Sequence, residues 1–448
     1  MTVTALALSD WLSPSRPDAL VCWHQRQPLM LQHLRQQVQQ LCGVLLARPE
    51  PRWALCFDDS WQFTVGLLAA LHAGKTPVIP GHCRPSLLQE QASAFDAVLT
   101  DCALPPFCPQ LTLDAAAHTC CEPLPAIAPD AQLVLFTSGS TGQPRQVTKP
   151  LACLDTEIQW LAALWGERLQ DCCVVASVSH QHLYGLTFRI MLPMALGLPF
   201  VSSQLLYSEQ LSALPVDGPL AFISSPAFLR RLDFSLTPPG CRLIVSAGGV
   251  LSDETAAAVA TRWQLAVDEI YGSSETGVLA WRSRTDTHPL WQPFDGVEFS
   301  RHGQQRWLVR SPLIAENDGL LLDDKLEFAV SGGFQLCGRY DRVVKIEDKR
   351  VSLSEIERRL LAIAGIADAV ALPISRYGRR AIGVVLVLHN EQDSDRLAQL
   401  KPQWKRELQR WLEPVAMPRF WRVVRLIPHN SQSKRAWPQI EELFNVAS

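Results

Sequence analysis

The chain has 448 residues, a formal net charge of −3, 47% hydrophobic residues and 19% charged residues. This length exceeds that of an ordinary single domain, and the composition is that of a globular protein with a hydrophobic core, which excludes a largely disordered chain. The thirteen cysteines contain no CxxC pattern. Their number and apolar context favour reduced thiols in a cytosol over disulfides or a zinc site.

The N-terminal segment MTVTALALSDWLSPS has no basic region and reaches Asp10 early, so we do not expect a signal peptide. The longest nearly unbroken apolar stretch, Ile190–Ser202, is too short to span a bilayer. We therefore predict a soluble cytoplasmic protein with no stable membrane insertion and no nucleic-acid partner.

Apolar spacing predicts alternating strands and helices along most of the chain. Before residue 103 the predicted helices are 30–47 and 63–72, and the strands are 53–57, 77–80 and 97–100. A Pro- and Ala-rich connection over 103–130 leads to a strand at 132–136. Helices then follow at 154–168, 183–196, 226–233 and 252–263, with strands at 172–178, 219–224, 242–246 and 266–270. This alternation predicts α/β layers.

The net charge is unevenly distributed. From Asp341 onward the chain has 19 Lys/Arg and 13 Asp/Glu, a net charge of +6, which leaves −9 for the preceding part. A basic C-terminal domain beside an acidic larger one suggests an anionic partner, although solvated surface charge also accounts for it.

The segment QLVLFTSGSTGQPRQVTK at 132–149 has the composition of a phosphate-binding loop. Small hydroxyl residues and glycines let the backbone turn tightly and direct N–H groups towards an anion. Arg145 and Lys149 follow, and both are expected to supply positive charge. An exposed Ser/Gly hinge is the alternative. The candidate loop residues are Thr137, Ser138, Gly139, Ser140, Thr141 and Gly142.

The motif FTSGSTGQPRQV resembles the phosphate loop of the adenylate-forming enzymes: acyl- and aryl-CoA synthetases, luciferases and peptide-synthetase adenylation domains. Further motifs follow in that family's order over nearly the whole chain. The resemblance implies a large, multi-sheet α/β adenylation domain at 1–340 and a smaller, mobile α+β domain at 341–448, with a hinge at Asp341.

SHQHLYGL at 179–186 resembles the family segment that borders the carboxylate being activated. His182 and Tyr184 fit its spacing, and His180 is the weaker candidate. A neutral imidazole can donate a hydrogen bond to a carboxylate oxygen. Residues 174–190 contain no acidic side chain. Because a buried substrate ammonium needs a counter-charge, we expect a carboxylic acid that lacks an α-amine.

SAGGV at 246–250 and IYGSSETG at 270–277 resemble the adenine-binding and magnesium-binding segments. The resemblance assigns the adenine to Gly248, Gly249 and the ring of Tyr271, with Gly272 and Ser274 in the same motif. Glu275 is the candidate Mg²⁺ ligand, because Mg²⁺ is a hard cation bound by carboxylates and substrate phosphates.

In the C-terminal third, the resemblance assigns ribose binding to Asp324 and a phosphate contact to Arg339, fifteen residues later. Asp323 is a competing candidate for the ribose. IPHNSQSKR at 427–435 resembles the segment with the catalytic lysine, here Lys434, which would stabilise charge during attack on the α-phosphate.

Three positions depart from the family pattern: Arg145 stands for a Lys, Ser433 for a Gly, and Asp348 for a Gly beside the pantetheine path. The main hypothesis is an ATP- and Mg²⁺-dependent ligase that forms an acyl- or aryl-adenylate and then a thioester. Its thiol acceptor is coenzyme A or the phosphopantetheine of an acyl carrier protein. The alternatives are a degenerate nucleotide-binding or regulatory member and an oxygenase of the luciferase kind.

Overall fold

The computed structural model describes residues 4–105, 107–113, 121–138, 144–214, 216, 218–285, 289–303, 306–316, 318–340, 342–346, 349–376, 379–390, 397–412, 414–430 and 434–445. The chain divides into two compact units, which are Met1–Glu298 with Arg310–Leu320 and Phe299–Val309 with Leu321–Ser448. The predicted boundary at 340/341 stays a prediction. The observed division lies earlier in the chain, because residues 299–309 and 321–340 belong to the second unit.

The larger sheet of the first unit has nine strands, with six parallel strands at its centre. Their order is β15-β14-β13-β12-β11-β9-β10-β1-β2, where β2, β14 and β15 are antiparallel to their neighbours. The bounds are β1 Leu20–His24, β2 Gln27–Met30, β9 Cys173–Ala176, β10 Phe200–Val201, β11 Leu220–Ser224, β12 Cys241–Ser246, β13 Asp268–Ser273, β14 Gly277–Ser283 and β15 Gln292–Pro293.

The second sheet of this unit has the order β6-β5-β3-β4-β7-β8 and is parallel except for β8, which forms an antiparallel hairpin with β7. The sequence predicted a strand only as far as 136, followed by a loop, so the return strand is an addition. The bounds are β3 Arg52–Cys56, β4 Thr76–Ile79, β5 Ala97–Thr100, β6 Gln110–Leu111, β7 Gln132–Ser138 and β8 Pro144–Pro150.

Helices connect these strands and confirm the predicted α/β alternation. The carboxylate of Asp59 begins α2 by accepting hydrogen bonds from the N–H groups of Trp61 and Gln62, as N-cap residues do. The predicted helix 183–196 contains a π-helical segment, Thr187–Met191. The bounds are α1 Leu31–Leu46, α2 Ser60–His72, α3 Pro85–Glu90, α4 Leu151–Leu169, α5 Leu183–Leu186, α6 Leu192–Leu196, α7 Ser208–Ser212, α8 Pro226–Leu229 and α9 Asp253–Trp263.

The described residues of the second unit form small, mainly antiparallel sheets, with β25 parallel to β24, and three α-helices. This is the α+β composition that was predicted. Its main core lies between the β23-β24-β25 sheet, α10 and α11, where Trp404 and Trp421 are buried and stack with ring centroids 6.1 Å apart. The bounds are β16 Glu298–His302, β17 Arg306–Arg310, β18 Leu320–Leu322, β19 Asp324–Phe328, β20 Phe334–Arg339, β21 Val343–Ile346, β22 Lys349–Ser352, α10 Leu353–Leu361, β23 Ile366–Arg376, β24 Arg379–Leu388, α11 Leu397–Gln409, β25 Phe420–Val423 and α12 Trp437–Glu442.

Among the helices that the structure describes, none combines the length and the apolar character needed to cross a bilayer.

His180 belongs to the core of the first unit. Its Nδ1 atom lies 2.9 Å from the hydroxyl of Ser60, its Nε2 atom lies 2.9 Å from the carbonyl oxygen of Phe57, and its ring contacts Phe63. Burial, with a smaller contribution from the positive charge of Arg189, lowers the pKa of His180 to about 3. The ring is therefore neutral at physiological pH and both nitrogens are engaged by the protein.

We predict that His180 makes the free energy of unfolding depend on pH between 7 and 5. Unfolded histidine has a pKa near 6.5, so on acidification the unfolded chain binds this proton first and the stabilisation is lost as the pH falls below that value. Urea unfolding should show a decrease of about 2 kcal/mol from this residue between pH 7 and 5. The His180→Gln variant should lack that part of the decrease, and an equal pH dependence in both proteins would contradict the assignment.

The hairpin of β13 and β14 requires a glycine at position 272. A β-carbon at Gly272 would lie 2.1 Å from the carbonyl oxygen of Gly277, far inside van der Waals contact. The close approach follows from the register, in which Gly272 faces Val278 and Ser273 faces Gly277. The glycine therefore has a packing role here, beyond the nucleotide contact predicted from the sequence.

We predict that Gly272→Ala destabilises the first unit by about 1–3 kcal/mol, as inserting an extra carbon into a closely packed site commonly does. Gly240→Ala is the matched control, because a β-carbon there meets nothing within 4 Å. Urea midpoints of both variants give the comparison. Equal midpoints would show that the hairpin tolerates the side chain.

Candidate functional site

The candidate phosphate loop lies at the end of the β7–β8 hairpin. Thr137 pairs with Arg145 and Ser138 pairs with Pro144, and the Thr137 hydroxyl donates a 3.5 Å hydrogen bond to the carbonyl oxygen of Arg145. The Arg145 side chain is exposed. The remaining predicted loop residues lie outside the described part of the chain: Gly139, Ser140, Thr141 and Gly142.

The structure does not support the expectation that Lys149 supplies charge to the phosphates. Its side chain is only 3% exposed, and its ammonium donates hydrogen bonds to the carbonyl oxygens of Glu275, at 2.7 Å, and Leu313, at 3.1 Å. Burial lowers the pKa of Lys149, and the nearby carboxylate of Glu157 opposes that shift. Lys149 therefore binds main chain inside the protein, which its place in a basic segment did not reveal.

His182 lies beside the strand that leads into the phosphate loop. A β-carbon built on Gly81 would be 3.3 Å from Cε1 of His182 and 3.7 Å from the carbonyl oxygen of Phe136. Gly81, which has a φ of +86°, thus leaves room for the imidazole next to β7. The half-buried ring of His182 therefore lies close to the end of β7, where the candidate loop begins.

Tyr184 attaches the His182 segment to the larger sheet. Its hydroxyl lies 3.0 Å from the carbonyl oxygens of both Ser224, at the end of β11, and Val245, near the end of β12. Ligands of open α/β sheets bind outside the carboxyl ends of parallel strands. The contacts of Tyr184 place the predicted carboxylate-binding segment at that edge.

The candidate adenine residues follow the neighbouring strands at the same edge. Gly248 comes two residues after β12 and has a φ of +85°, a conformation that favours glycine. Gly248 and Gly249 are exposed, so their backbone is accessible to a flat ring. Tyr271 lies on β13, which is paired with β12, and its ring centroid is 5.8 Å from that of Trp291.

Glu275 and Ser274 are the two central residues of the turn 273–276, which connects β13 to β14. Within this turn the N–H of Ser273 donates to the hydroxyl of Thr276 at 3.0 Å, and the N–H of Thr276 donates to the hydroxyl of Ser273 at 3.2 Å. Ser274 and Glu275, which lie between Ser273 and Thr276, are only partly buried. A single accessible carboxylate beside hydroxyl groups fits Mg²⁺, which is usually held by one or two carboxylates, substrate phosphates and water. The described residues contain no group of three or more His, Cys, Asp or Glu side chains that could hold a metal without such help.

Sequence reasoning missed Glu157, a fully buried carboxylate on α4 that contacts the start of β14, directly after this turn. Its Oε1 accepts a 2.8 Å hydrogen bond from the N–H of Val278, and its Oε2 accepts one of 2.8 Å from the hydroxyl of Thr187. The signal was present in the helical spacing. Glu157 falls on the apolar stripe of α4, between Leu154 and Leu161, where a charged residue needs an internal partner.

Two candidate residues of the second unit, Asp324 and Arg339, are paired across the β19–β20 hairpin. Their predicted roles are ribose binding and a phosphate contact. The competing candidate, Asp323, has carboxylate oxygens 3.7 Å from Nη2 of Arg339 and 3.8 Å from Nη1 of Arg306. Asp323 is thus engaged by two arginines, and the assignment of the ribose to Asp324 stays a prediction.

Lys434 is exposed, and two hydrogen bonds to Asn430 hold the backbone of its loop. The N–H of Asn430 donates to the carbonyl oxygen of Lys434 at 2.7 Å, and the N–H of Lys434 donates to Oδ1 of Asn430 at 3.0 Å. The next residue, Arg435, donates two hydrogen bonds, of 3.0 and 2.6 Å, to the buried carboxylate of Asp368. The candidate lysine is thus attached to the start of β23.

The hinge region is described only from Arg342. Its guanidinium pairs with Glu357, donates to the carbonyl oxygen of Ala371 at 2.7 Å and lies 4.5 Å from the ring of Trp437. The other three positions discussed from the sequence lie outside the described residues: Asp341, Asp348 and Ser433.

Comparison with known proteins gives one family and several relatives. The sequence model of the family described as AMP-binding enzyme matches residues 83–301. A 4-coumarate–CoA ligase of Cereibacter sphaeroides is 26% identical over 287 residues, which cover 63% of this chain and 66% of that protein. A D-alanine–D-alanyl carrier protein ligase of Staphylococcus epidermidis is 23% identical, covering 70% and 72%.

The crystal structure of ATP-bound MatB from Rhodopseudomonas palustris has a TM-score of 0.83 with this chain at 18% identity, and covers 98% of this chain and 99% of MatB. That likeness shows a shared fold over both units. The two curated relatives named here are ligases, and the comparisons give no support to a degenerate, non-catalytic member. The family model that matches residues 83–301, the relatives and the shared fold agree with the resemblance to the adenylate-forming enzymes that the sequence motifs carry.

Proposed function

We propose that the protein is an ATP- and Mg²⁺-dependent, AMP-forming ligase that activates a carboxylic acid as an acyl-adenylate and transfers the acyl group to a thiol. The observation that carries the proposal is the pair of contacts from the Tyr184 hydroxyl to Ser224 and Val245. These contacts hold the segment of His182 and Tyr184, the candidate carboxylate-binding residues, against the ends of β11 and β12. The candidate adenine residues Gly248 and Gly249 follow β12. An acid and a nucleotide bound there would lie side by side.

Each candidate group has a role in the first half-reaction. The 137–142 loop and Arg145 would hold the phosphates, and His182 would orient the acid. A carboxylate oxygen attacks the α-phosphorus, the bond to the bridging oxygen breaks, and pyrophosphate leaves with that electron pair. Lys434 would stabilise the negative charge on the α-phosphate. Mg²⁺ held by Glu275, when bound, neutralises phosphate charge.

The acid that we propose has no α-amine, because residues 174–190 offer no carboxylate to pair with an ammonium. Fatty and aryl acids both meet this requirement. The relative whose name includes coumarate supports an aryl acid.

The thiol acceptor is coenzyme A or a carrier protein, and the relatives' names include both. The basic C-terminal part supports an acidic carrier. Two tryptophans of this part, Trp404 and Trp421, are buried in the core and cannot contact a partner. Trp411 is 61% exposed and lies beneath the guanidinium of Arg359. A carrier would therefore meet Trp411 and the arginines around it. Salt-sensitive transfer to holo-carrier, absent with coenzyme A, would distinguish the acceptors.

The test of the function is a pyrophosphate-release assay with a panel of fatty, aryl and amino acids. We expect release that requires ATP, Mg²⁺ and one class of acid, with fatty or aryl acids active and α-amino acids inactive. Release that is independent of any acid would contradict the proposal. Dependence of turnover on O₂ would identify an oxygenase instead.

We predict that Lys434→Ala slows adenylate formation by about 10²–10³-fold, the cost of losing one preorganised group that stabilises transition-state charge. The exposed position of the side chain predicts an unchanged fold and little change in ATP affinity. Single-turnover adenylation measures the loss, and Lys405→Ala, on α11, is the matched control. A parent-like rate in Lys434→Ala would remove this residue from the mechanism.

We predict that Glu275→Gln raises the Mg²⁺ concentration needed for half-maximal adenylation, because a neutral amide is a poorer ligand for a hard cation. Changes to outer-shell partners of metals cost about 10–100-fold, and the loss of a direct ligand should cost no less. Glu254→Gln, exposed on α9, serves as the control. An unaltered Mg²⁺ titration would refute the assignment of Glu275.

A further inference from the structure

Two charged side chains of the first unit, Lys149 on β8 and Glu157 on α4, are withdrawn from solvent, with exposed fractions of 3% and 2%. Burying charges costs free energy, and apolar residues of similar size often give an equally stable or more stable core. Core stability alone therefore does not account for these residues. The groups to which they are bonded suggest what they do.

All the described contacts of the Lys149 ammonium are to main chain. It donates to the carbonyl oxygen of Glu275 at 2.7 Å and to that of Leu313 at 3.1 Å. The first of these belongs to the candidate metal ligand itself. Because Lys149 lies on the return strand of the phosphate-loop hairpin, it joins that hairpin directly to the backbone of the metal-binding turn.

The carboxylate of Glu157 joins the other end of the same turn to the His182 segment. One oxygen accepts from the N–H of Val278, two residues after the turn, and the other accepts from the hydroxyl of Thr187. Thr187 directly follows α5, the helix that begins after His182. The contact with the turn is tight, since a β-carbon at Gly277 would lie 2.8 Å from Oε1 of Glu157.

We propose that Lys149 and Glu157 are a pair of positioning residues that fix the Glu275 turn relative to the phosphate-loop hairpin and the His182 segment. The proposal rests on the function proposed above, in which Glu275 binds Mg²⁺. Neither residue touches the substrates. Their effect is to present the Glu275 carboxylate in one orientation, so that Mg²⁺ binding does not require the turn to be ordered first.

The test uses Lys149→Met, Glu157→Gln and the double variant. Lys149→Met keeps most of the length of the side chain but leaves the carbonyl oxygens of Glu275 and Leu313 without this donor. Glu157→Gln keeps the shape and an acceptor for the N–H of Val278, removes the charge, and replaces the acceptor of the Thr187 hydroxyl by an NH2 donor. It remains informative if Lys149→Met does not fold. Lys75→Met is the matched control, because the Lys75 ammonium likewise donates to a carbonyl, that of Arg48 at 2.6 Å, away from this turn.

The readout that needs no turnover is calorimetric titration with ATP, with and without Mg²⁺. We expect the variants to bind ATP alone with the affinity of the parent. The increase in ATP affinity on addition of Mg²⁺ should be smaller by about 10–100-fold, the cost typical of residues that orient a metal ligand. The Mg²⁺ concentration for half-maximal adenylation should rise in parallel, while the KM for the acid changes little. The losses in the double variant should be less than the sum of those in the single variants, because the two residues hold one turn.

Two results would overturn the inference. One is a folded Glu157→Gln or Lys149→Met variant whose Mg²⁺-dependent gain equals that of the parent. The other is a loss of stability accompanied by equal losses in ATP, Mg²⁺ and acid binding, which a purely structural pair would give. Failure of the proposed function is distinguishable, because the unaltered protein would then release no pyrophosphate in response to any acid.

Discussion

The hydrogen bond from the Lys149 ammonium to the carbonyl oxygen of Glu275 holds together parts of the first unit that come from two different sheets. β8 belongs to the six-stranded sheet, and the Glu275 turn belongs to the nine-stranded one. A buried ammonium cannot leave its acceptors without a large desolvation penalty. The loops at this edge, which would otherwise vary independently, are thereby kept in one arrangement. Tyr184 and Glu157 act in the same way on the segment that carries His182.

The second unit follows a similar principle with different residues. Lys434 is exposed, but Arg435 anchors its loop to the buried carboxylate of Asp368, and Arg342 attaches the chain beside the predicted hinge to Glu357 and Trp437. Ion pairs in such partly buried places are by themselves weak evidence for stability, but both hold their chain segments to neighbouring elements. If the chain turns at Asp341, as the family resemblance implies, Lys434 would move with β23 and α12 as one body.

The sequence was sufficient to predict the alternation of strands and helices, because parallel strands buried on both faces contain continuous apolar runs, as in 220–223 and 243–245. It was not sufficient for contacts that depend on residues far apart. Lys149 follows Arg145 in a basic segment, and only the pairing of β8 with β7 shows that its side chain points inward. The role of Gly272 depends on Gly277 across a hairpin. Glu157 could have been noticed on the apolar face of α4, although its partners Val278 and Thr187 could not be identified from spacing. The roles assigned by motif to Asp324, Arg339 and Lys434 remain predictions.

The central claim is that a carboxylate oxygen attacks the α-phosphorus of ATP. The most direct measurement supplies an active acid labelled with ¹⁸O in both carboxylate oxygens and analyses the released nucleotide by mass spectrometry. The account predicts AMP containing one ¹⁸O atom, because the attacking oxygen stays on phosphorus when the thiol takes the acyl group. Unlabelled AMP, or ADP in place of AMP, would contradict it.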